Sequence, residues 1–203
     1  MMSLILDNDQ VMDVLKKTGA YREGIFEHPA GYFTPFYFQI PLALRYFDNA
    51  RRLGVSLSRL LRRSRELVSS LPSVSIVAPG AGGVPVAFEV RQALRAEQIF
   101  WTERESGEFR FRQYNEIKPG QKCVIVDDIA RSGVAVRKVH DLITSAGGDV
   151  LAVAVLVRLS TAKLDLPSSL PVYSLFDFEA ARYAKAEDCP TWHEGATIER
   201  VRF

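Results

Sequence analysis

The sequence predicts an α/β fold: a mostly parallel sheet flanked by helices. Three observations predict it. Residues 75–78 (Ser-Ile-Val-Ala), 123–126 (Cys-Val-Ile-Val) and 150–157 are apolar runs without polar alternation, the pattern of strands buried on both faces. The first two are each followed by a glycine-containing turn and then by a stretch with apolar residues at helical spacing. Strand, helix and strand then repeat along the chain, which implies parallel pairing through right-handed crossovers.

Taken in order, Asp9 is placed to cap a helix carrying Val11, Val14 and Leu15 on one face, with Gly19 as its stop. Residues 31–38 are aromatic-rich and interrupted by Pro35, which suggests an edge strand or an extended hood segment. Residues 41 to about 70 read as helical, broken near Gly54. Strand 75–78, a glycine-rich turn over 79–83 and a helix over 84–94 come next. Residues 98–101 form a further strand and 109–112 another, with an exposed charged loop over 103–108 between them. The central strand is 123–126, and its helix carries Val136, Val139, Ile143 and Ala146 inward before Gly147-Gly148 ends it. Strands over 150–157 and 172–175 close the series.

The chain has 203 residues, 47% apolar and 25% charged, which fits a single domain over 1–203 with a real core. The hood is placed over about 1–40 together with the C-terminal segment. A net charge of +2 gives no reason to expect nucleic-acid binding, and the arginines between 51 and 65 read as a solvated helix face. Cys123 and Cys189 stand apart, without disulfide or metal-ligand spacing, which fits a reducing cytoplasm. No apolar run approaches the ~20 residues of a membrane span, and His28, His140 and His193 take a structural reading with no metal site in the protein itself.

Residues 123–135 carry the most chemistry. Asp127 and Asp128 sit at the carboxyl end of a buried strand, where open α/β sheets bind ligands. An extended backbone sends neighbouring side chains to opposite sides, so one carboxylate faces a ligand while the other steadies the loop or a developing cation. Arg131, Ser132 and Gly133 follow, offering a guanidinium, a hydroxyl and backbone N–H groups to a phosphate. The pattern suits a phosphorylated sugar. Gly80, Ala81, Gly82 and Gly83 make a second such turn, where small residues let the backbone approach an anion. Two anion turns at strand ends of one sheet fit a ligand with phosphates at both ends. The segment 103–108, with Arg110 and Arg112 beyond it, is either a solvated hairpin or a flap that closes over a diphosphate.

The order in 124–135, apolar residues, two acids, two apolar residues and a Ser/Gly turn, resembles the phosphoribosyl-diphosphate (PRPP) motif of type I phosphoribosyltransferases. The resemblance extends to bacterial orotate phosphoribosyltransferases through residues 17–20, 33–38, 77–83, Glu103-Arg104-Glu105, 117–120 and Cys189-Pro190. It implies the type I fold with its hood, and transfer of ribose 5-phosphate from PRPP to a base, most closely orotate, with substrate-bound Mg²⁺. It further implies that Asp127 and Asp128 hold the ribose hydroxyls and stabilise an oxocarbenium-like transition state. Ile129, Ala130, Arg131, Ser132, Gly133, Val134 and Ala135 would enclose the 5-phosphate, and Gly80 to Gly83 would meet the diphosphate. Glu103 and Arg104 would belong to a flap closing over the neighbouring subunit of a homodimer. Arg158 matches the arginine that pairs with the orotate carboxylate, with a structural ion pair, such as one to Asp165, as its other role. Arg131, Tyr37 and Phe38 complete the base contacts.

Two segments depart from the family pattern. His28-Pro29-Ala30-Gly31 stands where a lysine and Ser-Gly are common, and Arg131 takes a position usually held by threonine. Transfer to a different base or acceptor, and PRPP binding without turnover, therefore stand as alternatives to orotate transfer.

Overall fold

The computed structural model describes residues 5–112 and 116–201. Its larger sheet has six strands: β3 (Ser75–Ala78), β4 (Gln98–Glu105), β5 (Glu108–Phe111), β6 (Lys122–Ala130), β7 (Asp149–Leu159) and β8 (Val172–Phe178). They lie in the order β5-β4-β3-β6-β7-β8, and every pair is parallel except β4 with β5. The mostly parallel sheet predicted from the apolar runs is the sheet found. Helix α5 (Val84–Leu94) buries Val86, Ala87, Val90 and Leu94 on one face of it. Helix α6 (Val134–Ser145) buries Val136, Val139 and Ile143 on the other. Ala146 leaves that stripe: it caps the helix and is exposed.

A three-stranded sheet covers one end of the crevice. Strands β1 (Tyr21–Glu27) and β2 (Phe33–Phe38) pair antiparallel, and β9 (Ile198–Arg200) joins β1 from near the end of the chain. β2 is an edge strand, which is what allows Pro35 within it, since proline has no N–H to donate. Phe33 and Tyr183 exchange backbone hydrogen bonds of 2.8 and 2.9 Å, strapping the segment after β8 to this hood sheet.

Two further sequence expectations are corrected. Helix α1 (Asn8–Lys17) is capped by Asp7 rather than Asp9: Asp7 Oδ1 accepts from Gln10 N at 2.9 Å while Gln10 Oε1 accepts from Asp7 N at 3.1 Å. That reciprocal box needs an amide three residues on, which fixes the start. The helical region after residue 40 is three helices, α2 (Pro41–Leu44), α3 (Phe47–Leu61) and α4 (Arg65–Ser70), and Gly54 lies inside α3 without breaking it. Over 103–108, read as a solvated hairpin or a flap, β4 and β5 continue to a two-residue Ser106-Gly107 turn with φ of 49° and 86°. Positive φ at both turn residues matches the twist of the flanking strands, so the segment is a hairpin.

Gly54 is needed for packing. A Cβ at this position would overlap Glu89 Cβ, so the glycine lets α3 and α5 approach closely. Gly54→Ala is expected to cost about 1–3 kcal/mol, as overpacking of well-filled interfaces does, measured as a lower urea midpoint with an unchanged slope; an unchanged midpoint would contradict this.

Candidate active site

The sheet order makes β3 and β6 neighbours whose chains leave in opposite directions, β3 through α5 to β4 and β6 through α6 to β7. Between two such strands a crevice opens at their carboxyl ends. β6 stays paired with β7 through Ala130, whereas its pairing with β3 ends at Ile125. Asp127 and Asp128 thus lie in a strand supported on one side only, with the turn over 79–83 occupying the other.

Both carboxylates meet that turn. A Cβ on Gly82 would sit 3.1 Å from either Asp128 oxygen, and one on Gly83 2.6 Å from Asp127 Oδ1. The acidic pair and the glycine turn are therefore one construction, and the glycines are what leave room for the acids. The two side chains part less than an ideal extended strand predicts. Asp127 Oδ1 accepts from Asp128 N at 3.0 Å and Asp128 Oδ1 from Ile129 N at 2.9 Å, which curls each side chain against its own backbone.

Asp127 and Asp128 are only 5% and 7% exposed. Burial pushes the Asp127 carboxyl well above the usual carboxylate range, and the neighbouring Asp128 charge pushes it further. Burial also raises Asp128, while the hydrogen bonds at its carboxylate and the Arg131 charge oppose that rise. The pair is an electrostatic arrangement that a cationic or hydroxyl-rich partner relieves.

The turn at 131–133 is fixed from behind. Thr161 Oγ1 donates to Arg131 O at 3.2 Å, and Lys163 N to Ser132 O at 3.1 Å. Gly133 has φ +83°, and a side chain there would overlap Lys163 O. Ser132 is exposed, and Val134 and Ala135 open α6 beyond a cap with no side chain. Arg131 does not fold onto its own turn: its Nη2 donates to Phe38 O at 2.6 Å and its guanidinium lies 5.4 Å from the centre of the Tyr37 ring.

The hairpin flanks the other turn. Phe109 approaches within 4.0 Å of the position of a Gly80 Cβ, and Arg104 pairs across the hairpin with Phe109, so it stands on the same face. Glu103 lies on the opposite face, 2.7 Å from Arg112 Nε. Lys138 ties the tip to α6, donating to Gly107 O at 3.1 Å and to the Glu108 carboxylate at 2.8 Å.

Beyond the acidic pair, hood and sheet flank a narrow cleft lined by aromatic residues of β2 together with Arg131. Tyr37 and Phe38, expected as base contacts, line it. Arg158 does not: it sits on β7 with both Asp177 oxygens at 2.7 and 2.9 Å, and Asp165 pairs instead with Arg137. The ion-pair role is the one the side chain holds, with Asp177 as its neighbour on β8. The sequence reading missed His28, Tyr32, Thr34, Thr161 and Arg182, which also line the cleft. They come from three stretches far apart in the chain, and no local period announces them.

His28 is buried, its ring stacked on Tyr32 with centroids 4.4 Å apart. Thr34 Oγ1 donates to Phe36 O at 2.6 Å, so at 2.9 Å it accepts from His28 Nε2–H, which leaves Nδ1 as an acceptor. Burial, with the charges of Arg131 and Arg182, lowers the imidazole to about 4 and keeps it neutral.

The family model of the phosphoribosyl transferase domain matches residues 50–182. The chain belongs to this family. The match spans β3 to β8 and thus both turns. Orotate phosphoribosyltransferase of Heliobacterium modesticaldum is 35% identical, covering 94% of this chain and 95% of its own, and that of Carboxydothermus hydrogenoformans is 33% identical, covering 88% and 89%. In fold, the chain is similar to orotate phosphoribosyltransferase from Aeropyrum pernix, with a TM-score of 0.65 and 21% identity over 82% of this chain and 93% of that one.

The raised carboxyls carry a cost with a definite sign. Across the interval between the ordinary carboxylate range and the shifted value, the folded chain holds protons that the unfolded chain has released, so stability falls as pH rises through it. Asp127→Asn removes one charge and keeps an oxygen to accept from Asp128 N–H. The unliganded variant is expected to melt above the native protein at pH 7, with roughly 2–4 °C for each kcal/mol regained. The gap should narrow at pH 5 in calorimetric scans. A variant melting below the native protein at pH 7 would contradict the charge account.

Proposed function

We propose that the chain transfers the 5-phosphoribosyl group of PRPP to orotate, giving orotidine 5′-phosphate and diphosphate. The observation that carries this reading is the pair of buried carboxylates set against Gly82-Gly83 at the switch point of the sheet. In it the bond from C1 to the diphosphate oxygen breaks, a bond from C1 to a ring nitrogen forms, and the proton of that nitrogen passes to the departing diphosphate. Asp127 and Asp128 accept from the ribose hydroxyls, and their charge, little screened in a dry site, opposes the positive charge that develops on the ribose ring. Backbone N–H groups of 132–135 hold the 5-phosphate, and those of 81–83 hold the diphosphate. Arg104, on the hairpin, neutralises the leaving group in the site of the partner subunit.

Mg²⁺ belongs to the same proposal as a companion of the substrate. Among the described residues no group of three or more His, Cys, Asp or Glu side chains is gathered for a metal. A site with only two carboxylates at hand fits an ion that keeps its waters and binds phosphate oxygens. Mg²⁺ would supply charge neutralisation on the diphosphate, with Asp127 and Asp128 as its protein-side neighbours. A homodimer with the hairpin serving the partner's site, and a cytoplasmic setting for a chain with two free buried cysteines, complete the reading.

A second reading, transfer to a different acceptor, is favoured by one observation: the arginine matching the orotate contact, Arg158, is paired with Asp177. Diphosphate release from PRPP and Mg²⁺ with a panel of free bases separates the two. Orotate is expected to support release, with Asp127→Asn slower by about 100-fold or more. Release with another base alone selects the second reading, and PRPP binding without release from any base defeats both.

A further inference from the structure

The acceptor cleft has a charge pattern that the transfer reaction itself does not require. Arg131 and Arg182 both line it, and none of its lining residues is acidic. Each guanidinium is laid over a tyrosine ring, Arg131 at 5.4 Å from Tyr37 and Arg182 at 4.8 Å from Tyr32. A guanidinium's planar fork can grip a carboxylate with two parallel hydrogen bonds, and packing over a ring limits where that fork can lie. Arg182 Nη2 donates to Thr161 Oγ1 at 3.2 Å, and that hydroxyl donates in turn to Arg131 O. The same threonine therefore sets Arg182 relative to the first residue of the phosphate turn.

The rest of the cleft narrows the ligand. His28, whose Nδ1 is left as an acceptor, is among the lining residues, while Tyr37, Phe36 and Phe38 supply apolar and ring surface. The complement is a flat ring that carries an N–H and, at its edge, a carboxylate. The segment bearing Arg182 is held to the hood by the Phe33–Tyr183 hydrogen bonds, so its position is part of the fold.

We propose that Arg182, together with Arg131, is the specificity-determining pair that reads the carboxylate of an acidic acceptor ring, and that Arg158 serves the sheet through Asp177. The inference rests on the acceptor site of the proposed function. It moves acid recognition from the strand end of β7 to the hood side of the crevice.

The nucleotide products test it without PRPP. Orotidine 5′-phosphate and uridine 5′-phosphate differ by the ring carboxylate alone, and calorimetry on the full chain gives both dissociation constants. The native protein is expected to prefer orotidine 5′-phosphate by about 30-fold, the scale of a charge-assisted bidentate contact. Arg182→Gln should cut that preference to about 3-fold or less with uridine 5′-phosphate affinity unchanged, Arg182→Lys should fall between, and Arg158→Gln should keep the full preference. A full preference in Arg182→Gln, or its loss in Arg158→Gln, overturns the proposal. Diphosphate release is scored separately on the native protein. Release from orotate without product preference overturns the clamp and leaves the transfer, whereas preference without release overturns the transfer and leaves the clamp.

Discussion

Two carboxylates next to each other in sequence, both almost completely removed from water, are the costly feature around which this molecule is arranged. A buried charge is tolerated only where hydrogen bonds and nearby opposite charge replace its hydration. Here each acid takes a backbone N–H from the residue after it, and Arg131 lends positive charge to both. The neighbouring turn yields the space: with side chains at 82 and 83 the carboxylates could not lie where they do. The site is thus held ready by the fold, and its unfavourable electrostatics are relieved by a ligand that brings hydroxyl groups and a cation.

Arg131 couples this centre to the hood. It follows the acidic pair by three residues, yet its guanidinium reaches the Phe38 carbonyl and the Tyr37 ring across the crevice. The side chain at the head of the 131–133 turn thereby lines the hood cleft and not its own turn. Thr161 reinforces the coupling, since its hydroxyl donates to Arg131 O and accepts from Arg182. The turn at 131–133 and the hood cleft thus share one short network.

Much of the scaffold was legible because it is encoded locally. Residues 75–78 and 84–94 read as a strand and a helix with the bounds observed, since a polar-free run and a glycine turn with Pro85 behind it leave few alternatives. The Asp127-Asp128 turn was legible for the same reason. What the sequence hid depends on partners distant along the chain. Arg158 and Asp177 are 19 residues apart and meet only because β7 and β8 pair in register. The hood cleft draws on residues from His28 to Arg182, a set that no period or spacing marks. Gly54, read as a helix breaker, is instead a packing residue, because α5 crosses it closely.

The central claim is that the glycine turn and the acidic pair together form the PRPP site. Calorimetric titration of PRPP with Mg²⁺ into the native protein and into Gly83→Ala tests it directly, because the added methyl would stand 2.6 Å from Asp127 Oδ1 and within 3.2 Å of Val126 O. The account predicts binding weakened by about 10-fold or more, at least the ~1.4 kcal/mol that one decade represents, with the circular dichroism spectrum unchanged. An equal dissociation constant for the two proteins would contradict it.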